Sequence, residues 1–395
     1  MLWMSFNECL NYTNANRLDK TKWKVLTQML LGKTVAVTVP AYNEETQISM
    51  VIESMPDFVD RIVIVNDGSK DDTSKVVKEH IAAAPQSTVC IPKLQFDSTS
   101  TIYNRADLAL LEMRKQEEAY FPTHTVINDN DHDRIVLIEE VNSGVGAAIA
   151  VGYKWCRDHG IDCTAVMAGD GQMDPAELES IVTPVIRDGI DYVKGNRLSH
   201  PAAKIIVPQI RYLGNNILSL LTKIASGYWS VSDTQTGYTA ISLSALNRID
   251  LHNIYHSYGC PNDILVKLNI ANCTLMEVPI KPVYNVGEKS KMKLLKVVPS
   301  ISWLLIRSFF RRLWTKYLVD SFHPLFLFYS LGIIMALVNI PFLLKLVVDV
   351  LILNGSVTMG WYITFLLLTL FSYQSISFAM WMDMQDNSKL EKTHK

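Results

Sequence analysis

The stretch Thr164–Pro175 reads Thr-Ala-Val-Met-Ala-Gly-Asp-Gly-Gln-Met-Asp-Pro. Its apolar run Thr164–Ala168 predicts a short buried strand that ends at Gly169. Ligands of α/β sheets bind beyond the carboxyl ends of the strands, and Asp170 stands at that position. A carboxylate there, with the amide of Gln172 and a second acid at Asp174, suits a hard divalent cation such as Mg²⁺ or Mn²⁺ that also binds substrate phosphates.

A simpler interpretation of the same letters is a strand, a turn and a helix. Asp174 would be the helix N-cap and Pro175 its first helical residue, with no bound ligand. The upstream pattern favours a ligand site. Runs Thr34–Pro40 and Arg61–Val65 are each followed by a polar loop and a helical pattern, which predicts a mostly parallel, Rossmann-like α/β sheet with right-handed crossovers. We expect the loops after its strands to gather at one edge.

Residues 85–134 look like an insertion, with one helix predicted over Asp107–Glu118. Its end carries acids at the spacing of an EF-hand calcium loop, but Arg134 occupies the place where that loop needs glycine, which argues against calcium. The acids are Asp129, Asp131, Asp133 and Glu140.

Further strands are predicted over Ile135–Ile138, Tyr192–Arg197 and Glu277–Ile280. The loop after the first of these contains Gly144, where a glycine lets the backbone approach a phosphate or a sugar at a helix amino terminus. An amphipathic helix is predicted over Arg211–Ser230.

Two uncharged segments near the carboxyl end, Leu325–Leu344 and Trp361–Met382, have about the 20 residues that a membrane-spanning helix needs. A hairpin of buried core helices is the alternative, which the short connecting loop disfavours. Residues 291–321, just before the first span, form a basic and aromatic amphipathic segment that we expect in the headgroup region of the membrane. The cations from this segment and the turn before it are Lys289, Lys291, Lys293, Lys296, Arg307, Arg311, Arg312 and Lys316.

The predicted organisation is a lead-in (1–32), a catalytic domain (33–290), the juxtamembrane segment (291–321), two transmembrane helices (322–383) and a tail (384–395). The positive-inside rule predicts that the catalytic domain and both termini are cytoplasmic.

The net charge of the 395 residues is −2, which argues against nucleic acid as a partner. The six cysteines are scattered, so reduced thiols are expected and no zinc site. The amino-terminal residues do not have the pattern of a signal peptide.

Several motifs in order resemble family 2 glycosyltransferases with the A-type fold, within them the polyprenyl-phosphate sugar transferases typified by dolichyl-phosphate mannose synthase. Each motif lies at or after the end of one of the predicted strands or of the long amphipathic helix, and the resemblance extends over roughly 33–291 and the two spans. The motifs are Pro40-Ala41-Tyr42-Asn43-Glu44-Glu45, Asn66-Asp67-Gly68-Ser69, Ala168-Gly169-Asp170-Gly171-Gln172, Gly195-Asn196-Arg197 and Asp233-Thr234-Gln235-Thr236-Gly237.

This resemblance implies a nucleotide-sugar site, a metal site at Asp170 and Gln172, and an acceptor-phosphate site at Arg197, Arg211 and Asn215. Asp233 joins Asp170, Arg197 and Arg211 as a catalytic residue. The nucleotide-sugar contacts would be Pro40, Tyr42, Glu44, Asp67, Gly144 and Asp170. The chain departs from the family pattern where Asn66 and Ala168 replace an acid and where Tyr284 replaces a late arginine.

The implied reaction is inverting transfer of a sugar from a nucleotide-diphosphate sugar to a dolichyl or undecaprenyl phosphate at the cytoplasmic membrane face. Two alternatives stay open: a membrane-bound transferase acting on a glycan or glycolipid, and a non-catalytic nucleotide-sugar binder. The sugar, the nucleobase, the prenyl chain, the role of the insertion and whether the chain forms a homo-oligomer are not specified by the sequence.

Overall fold

A computed structural model describes residues 29–94, 104–203, 209–283, 294–349 and 358–393. Most of the lead-in, Tyr284 and the basic turn with Lys289, Lys291 and Lys293 lie outside these ranges. The described chain contains a nine-stranded sheet. Its strands are β1 (Val35–Ala41), β2 (Arg61–Asp67), β3 (His124–Val126), β4 (Ile135–Glu140), β5 (Cys163–Val166), β6 (Tyr192–Asn196), β7 (Thr239–Ser242), β8 (Leu275–Pro279) and β9 (Glu391–Lys392).

The strand order is β3-β4-β2-β1-β5-β7-β6-β8-β9. Strands β4, β2, β1 and β5 are parallel, as are β6, β8 and β9. Strand β7 runs antiparallel between β5 and β6, and β3 is an antiparallel edge strand supplied by the insertion, which the sequence did not predict. The predicted mostly parallel α/β sheet is confirmed.

Helices cover both faces of the sheet. The helices are α1 (Ile48–Glu53), α2 (Thr73–Ala83), α3 (Arg105–Glu117), α4 (Val145–Asp158), α5 (Leu178–Asp188), α6 (Gln209–Ser226), α7 (Leu243–Arg248), α8 (Cys260–Ile270), α9 (Leu294–Trp314), α10 (Pro324–Val347) and α11 (Met359–Asn387). Val35, Val37 and Val39 of β1 face one core with α1, α2 and α5, whereas Ala36 faces the other core with α4 and α8. The described cysteines are free thiols, as expected.

Helix α6 ends at Ser226, four residues before the predicted end at Ser230. Gly227 adopts a φ of +77°, a left-handed conformation that ends helices and favours glycine. A Cβ at this position would also lie 2.3 Å from Nη1 of Arg312. The helix therefore stops where the chain must pass close to a buried arginine.

Helices α10 and α11 form an antiparallel hairpin, closed where Ser372 Oγ donates to the carbonyl of Gly332 at 2.8 Å. Both helices are long and apolar enough to cross a membrane, and few residues of either apolar segment are buried. Apolar side chains that point outward, such as Leu337 at 59% exposure, do not form the core of a soluble domain. The hairpin gives the chain the character of a membrane protein.

The juxtamembrane segment differs from the prediction that its cations lie in the headgroup region of the membrane. Arg312 is fully buried and makes two 2.8 Å bonds to the carboxylate of Asp383 on α11. Lys316 is also buried and donates to Asn269 and Asn387. The prediction was wrong for these two cations, because the helix turns them inward toward carboxylate and amide oxygens.

The tail was predicted as a segment of its own over residues 384–395, and its cytoplasmic side stays a prediction. Helix α11 continues to Asn387, a short 3-10 turn follows at Ser388–Leu390, and Glu391–Lys392 form β9, which pairs in parallel with β8. The residues after the second apolar helix therefore belong to the edge of the catalytic sheet.

Candidate functional site

The loops after β1 and β2 are fastened to each other. Asn43 has a φ of +54°, its backbone N–H donates to Ser69 Oγ at 2.9 Å, and its Oδ1 accepts the Lys70 N–H at 2.8 Å. The Glu44 N–H donates to Thr73 Oγ1 at 2.9 Å. Pro40 is buried at the end of β1, and the predicted nucleotide contacts Tyr42 and Glu44 are half-buried in the loop that follows.

Asp67 ties the loop after β4 to these two. Its carboxylate accepts the backbone N–H groups of Ser143 at 2.6 Å and Gly144 at 3.0 Å. The space that glycine leaves at Gly144 is filled by the carbonyl of His256, 2.5 Å from where a Cβ would be. In this structure the glycine serves close packing of two backbones, and its predicted contact with the nucleotide sugar stays a prediction.

Glu140 lies beside Asp67 in the sheet register. It is buried, and neither carboxylate oxygen has a hydrogen-bond partner within the described residues. Burial, followed by the nearby Asp67 carboxylate, raises the pKa of Glu140 to about 8. The sequence reasoning weighed Glu140 only as a calcium ligand and missed this neutral acid. Its position as the last residue of β4, two residues after the apolar run Ile135–Ile138, was the available signal.

Asp170 follows β5 at the same edge of the sheet. The Gly169 N–H donates to the carbonyl of Pro40 at 3.2 Å, which joins the end of β5 to the end of β1. Asp170 and Gln172 are half-buried, and Asp170 Oδ1 accepts the Gln172 N–H at 3.0 Å. Asp174 caps the following turn by accepting the Ala176 N–H at 2.9 Å, so the capping interpretation is correct for Asp174 and does not account for Asp170.

No group of three or more His, Cys, Asp or Glu side chains in the described ranges could hold a metal ion. The acids at EF-hand spacing do not form such a group. One half-buried carboxylate with a nearby amide fits a different kind of ion. Mg²⁺ usually keeps several waters and binds through one or two carboxylates plus substrate phosphates. Asp170 and Gln172 fit such an ion as partial ligands.

Arg197 and Asp233 form a two-point ion pair. Arg197 Nε and Nη2 donate to the Asp233 carboxylate at 2.8 and 3.0 Å, and the Arg197 backbone N–H donates to it at 3.1 Å. Burial disfavours the charge on Asp233, but Arg197 outweighs burial and holds the pKa of this carboxyl below its usual value. The Asp233 side chain has no exposed surface, whereas Arg197 keeps 23% of its side chain exposed.

Two charged residues beneath this pair were missed by the sequence reasoning. Lys194 is fully buried on β6 and donates to the carbonyl of Thr236, and burial lowers its pKa to about 8. Glu277 on β8 accepts the backbone N–H groups of Ser232 and Asp233 at 2.9 and 3.1 Å. Both residues lie inside strands, where no loop motif marks them.

The sheet register brings the Asp170 loop and the Arg197 pair to one edge. Val166 of β5 is opposite Thr239 of β7, and Thr239 is opposite Lys194 of β6. Asp170 and Arg197 follow Val166 and Lys194 by four and three residues in the same direction. Arg211 and Asn215 are in α6, but their side chains lie outside the described part of the chain.

The fold and this edge can be compared with known proteins. The glycosyl transferase family 2 model matches residues 36–92. A UDP-N-acetylglucosamine–dolichyl-phosphate N-acetylglucosaminyltransferase of Methanococcus voltae is 30% identical over 257 residues, which are 65% of this chain and 88% of that protein. The chain belongs to glycosyltransferase family 2, and it is a glycosyltransferase.

Other relatives carry related names. A dolichyl-phosphate β-glucosyltransferase of Trichomonas vaginalis is 23% identical, over 73% of this chain and 77% of that protein. An undecaprenyl-phosphate mannosyltransferase of Micrococcus luteus is 28% identical, over 40% of this chain and 64% of that protein. Among solved structures, glucosyl-3-phosphoglycerate synthase from Mycobacterium tuberculosis with Mg²⁺ and UDP is 17% identical with a TM-score of 0.43, covering 76% of this chain and 86% of that one.

Proposed function

We propose that this protein transfers a sugar from a nucleotide-diphosphate sugar to a polyprenyl phosphate, with inversion at the anomeric carbon. A phosphate oxygen of the lipid would form the new bond to that carbon while the bond to the β-phosphate breaks and the nucleoside diphosphate leaves. The relatives named above for dolichyl and undecaprenyl phosphate acceptors support this acceptor class.

The observation that carries the proposal is the Arg197–Asp233 pair, which lies at the same sheet edge as Asp170. Asp233 is buried and its carboxylate is occupied by Arg197, so it is not placed to take a proton from an acceptor hydroxyl. A lipid phosphate is already anionic and needs no strong base. A partly exposed guanidinium is suited to bind its oxygens. We expect Arg211 and Asn215 to share this contact, and Asp233 to act by holding Arg197.

On the donor side, the three fastened loops would hold the nucleotide through Pro40, Tyr42, Glu44, Asp67 and Gly144. Asp170 and Gln172 would hold a Mg²⁺ or Mn²⁺ ion, which when bound would neutralise charge on the leaving diphosphate. Positioning and charge stabilisation would then supply most of the rate enhancement.

Outward side chains support the proposed membrane placement. Trp303, Phe310 and Trp314 on α9 are 69%, 50% and 59% exposed, as expected for a helix lying at the lipid interface. Because the tail joins the catalytic sheet as β9, the hairpin must return the chain to the side on which the domain lies. We propose that this side is cytoplasmic.

The test is transfer of label from UDP-N-acetylglucosamine, UDP-glucose and GDP-mannose into an organic-extractable, mild-acid-labile lipid. Membranes containing the chain would be assayed with Mg²⁺, Mn²⁺ or a chelator. We expect lipid label from one donor, abolished by the chelator and reduced at least 100-fold by Asp170→Asn. The matched control is Asp57→Asn, an exposed acid in the same domain, which should leave transfer unchanged.

Label found only in a water-soluble glycan would instead indicate the alternative acceptor class. Nucleotide-sugar binding without any product would indicate a binder, which the replacement of an acid by Ala168 makes worth testing. Full activity of Asp170→Asn would refute the metal site proposed for this residue.

A further inference from the structure

Two glutamates on the neighbouring strands β8 and β9 hold four backbone amides of one turn, residues 229–233. Glu277 of β8 accepts the N–H groups of Ser232 and Asp233. Glu391 of β9 accepts those of Trp229 at 2.6 Å and Ser230 at 2.7 Å. The turn is thus fixed by carboxylates from two strands, and its last residue is Asp233.

That turn leads directly to the acceptor side of the site. Asp233 binds Arg197 through the side chain and the backbone N–H, so the position of the turn sets the position of the guanidinium. Hydrogen bonds from N–H groups to a carboxylate are among the stronger ones that proteins make. Gly227, two residues before the turn, has high backbone freedom.

Glu391 is far from this turn in sequence and reaches it through the membrane hairpin. Its strand pairs Glu391 with Leu275, two residues before Glu277. The end of α11 is anchored where Asn387 Oδ1 accepts hydrogen bonds from Asn269 and Lys316, both at 2.8 Å. A buried amide and lysine therefore place the tail against the catalytic sheet before it reaches the turn.

We propose that Glu391 is a positioning residue for the acceptor site: it fixes the turn at 229–233 and thereby Asp233 and Arg197. This inference rests on the proposed function at one point, because the group that Arg197 binds is taken to be the acceptor phosphate. Its consequence is that the tail following the hairpin helps to position the acceptor site.

The test compares Glu391→Gln with Lys392→Gln in the full chain in membranes. Glutamine keeps the size of the side chain but turns an NH₂ group toward one of the two amides. Lys392 is the exposed neighbour on the same strand, so its variant is the matched control. Two readouts are used: hydrogen exchange at the Ser232 and Asp233 amides, which Glu391 does not contact, and the KM values for acceptor and donor.

For Glu391→Gln we expect exchange at Ser232 and Asp233 to rise about fivefold and the acceptor KM to rise about threefold to tenfold, because a charge-assisted hydrogen bond is lost. The donor KM should stay the same, and Lys392→Gln should match the unmodified chain. Glu391→Asp keeps the charge and should recover part of the acceptor KM, which a loss of general stability would not allow.

Unchanged exchange at Ser232 and Asp233 would overturn the inference. So would increased exchange with both KM values unchanged, or equal increases in the acceptor and donor KM. Failure of the proposed function is a separate result: the unmodified chain would then give no lipid product with any donor, and the exchange comparison would still decide whether Glu391 fixes the turn.

Discussion

Two arginine–aspartate pairs of nearly the same geometry lie in two different parts of the molecule. Arg197 and Asp233 meet at the sheet edge that carries the proposed active site, at 2.8 and 3.0 Å. Arg312 and Asp383 meet at the junction with the membrane hairpin, both bonds at 2.8 Å. Arg197 keeps 23% of its side chain exposed, whereas Arg312 has none.

Because the two guanidinium groups differ in exposure, the two pairs have different roles. At the junction, the guanidinium also donates to the backbone carbonyls of Ile224 and Ala225, so its donors are used within the protein. At the sheet edge, the carboxylate is buried and the guanidinium reaches the surface, where a phosphate can approach. One pair joins two parts of the molecule, and the other presents a positive charge.

The largest effect is expected at the junction. Arg312→Ala would leave the Asp383 carboxylate buried without its cation and lower the free energy of unfolding by about 3–5 kcal/mol. The measurement is denaturant unfolding in detergent micelles. The double variant Arg312→Met, Asp383→Leu should recover most of the loss, since it removes both charges. A single variant as stable as the unmodified chain would contradict this account of the junction.

The next effect is on catalysis rather than stability. Arg197→Lys keeps the positive charge beside Asp233 but loses the planar fork, so the acceptor kcat/KM should fall roughly 10- to 100-fold. The donor KM and the unfolding midpoint should change little, as measured by steady-state kinetics and denaturant unfolding. Arg307→Lys, on an exposed arginine of α9, is the control. A fall in stability without a change in acceptor kinetics would make this pair equivalent to the one at the junction.

Glu140 extends the comparison to a buried carboxyl without a cation. Its pKa rises from 4.5 to about 8, so between these values the folded chain holds a proton that the unfolded chain releases. The contribution of this bound proton to the free energy of unfolding is therefore fully present below pH 4.5. It is lost as the pH rises to 8, by about 1.4 kcal/mol per pH unit.

Glu140→Gln is neutral at every pH, so its stability advantage over the unmodified chain should grow from pH 5 to pH 8. Denaturant unfolding at three pH values within this range measures the difference. Glu53→Gln, at an exposed glutamate, should leave the pH dependence unchanged. A parallel pH dependence for Glu140→Gln and the unmodified chain would show that Glu140 is ionised in the folded protein.

The smallest effect is expected for an exposed pair. Lys33 and Asp162 are 2.8 Å apart, with 53% and 36% of their side chains exposed. Lys33→Gln should change the free energy of unfolding by only about 0.5 kcal/mol, because water screens the pair. Denaturant unfolding at low and high salt measures the change. If Lys33→Gln lowered the free energy of unfolding as much as Arg312→Ala, burial would not explain why the ion pairs differ in their effect on stability.

The sheet edge that carries the predicted donor residues could be located from the sequence because these residues stand at or soon after strand ends. Asn43, Asp67 and Asp170 come at the ends of β1, β2 and β5, and neighbouring parallel strands bring such residues together. The acceptor side depends on contacts across long sequence separations. Glu391 and Trp229 are 162 residues apart, and no local pattern connects them.

The juxtamembrane segment shows a different limit. Composition counts cations but does not say which way they face. Helical spacing contained part of the answer, since Ile301, Leu305, Ser308 and Arg312 fall on one side of α9 and are all buried. That face would have placed Arg312 inside. Its partner Asp383 stands at the end of a predicted membrane span, where the sequence alone gives no sign that the two meet.

The position of β9 has a consequence for biosynthesis. Chains are made from the amino terminus, and domains usually fold as they emerge from the ribosome. Here the strand that completes the sheet edge is translated after both apolar helices, so β8 waits for its neighbour until the hairpin has been made. The turn at 229–233 would therefore receive its second carboxylate, that of Glu391, only after both apolar helices have been translated.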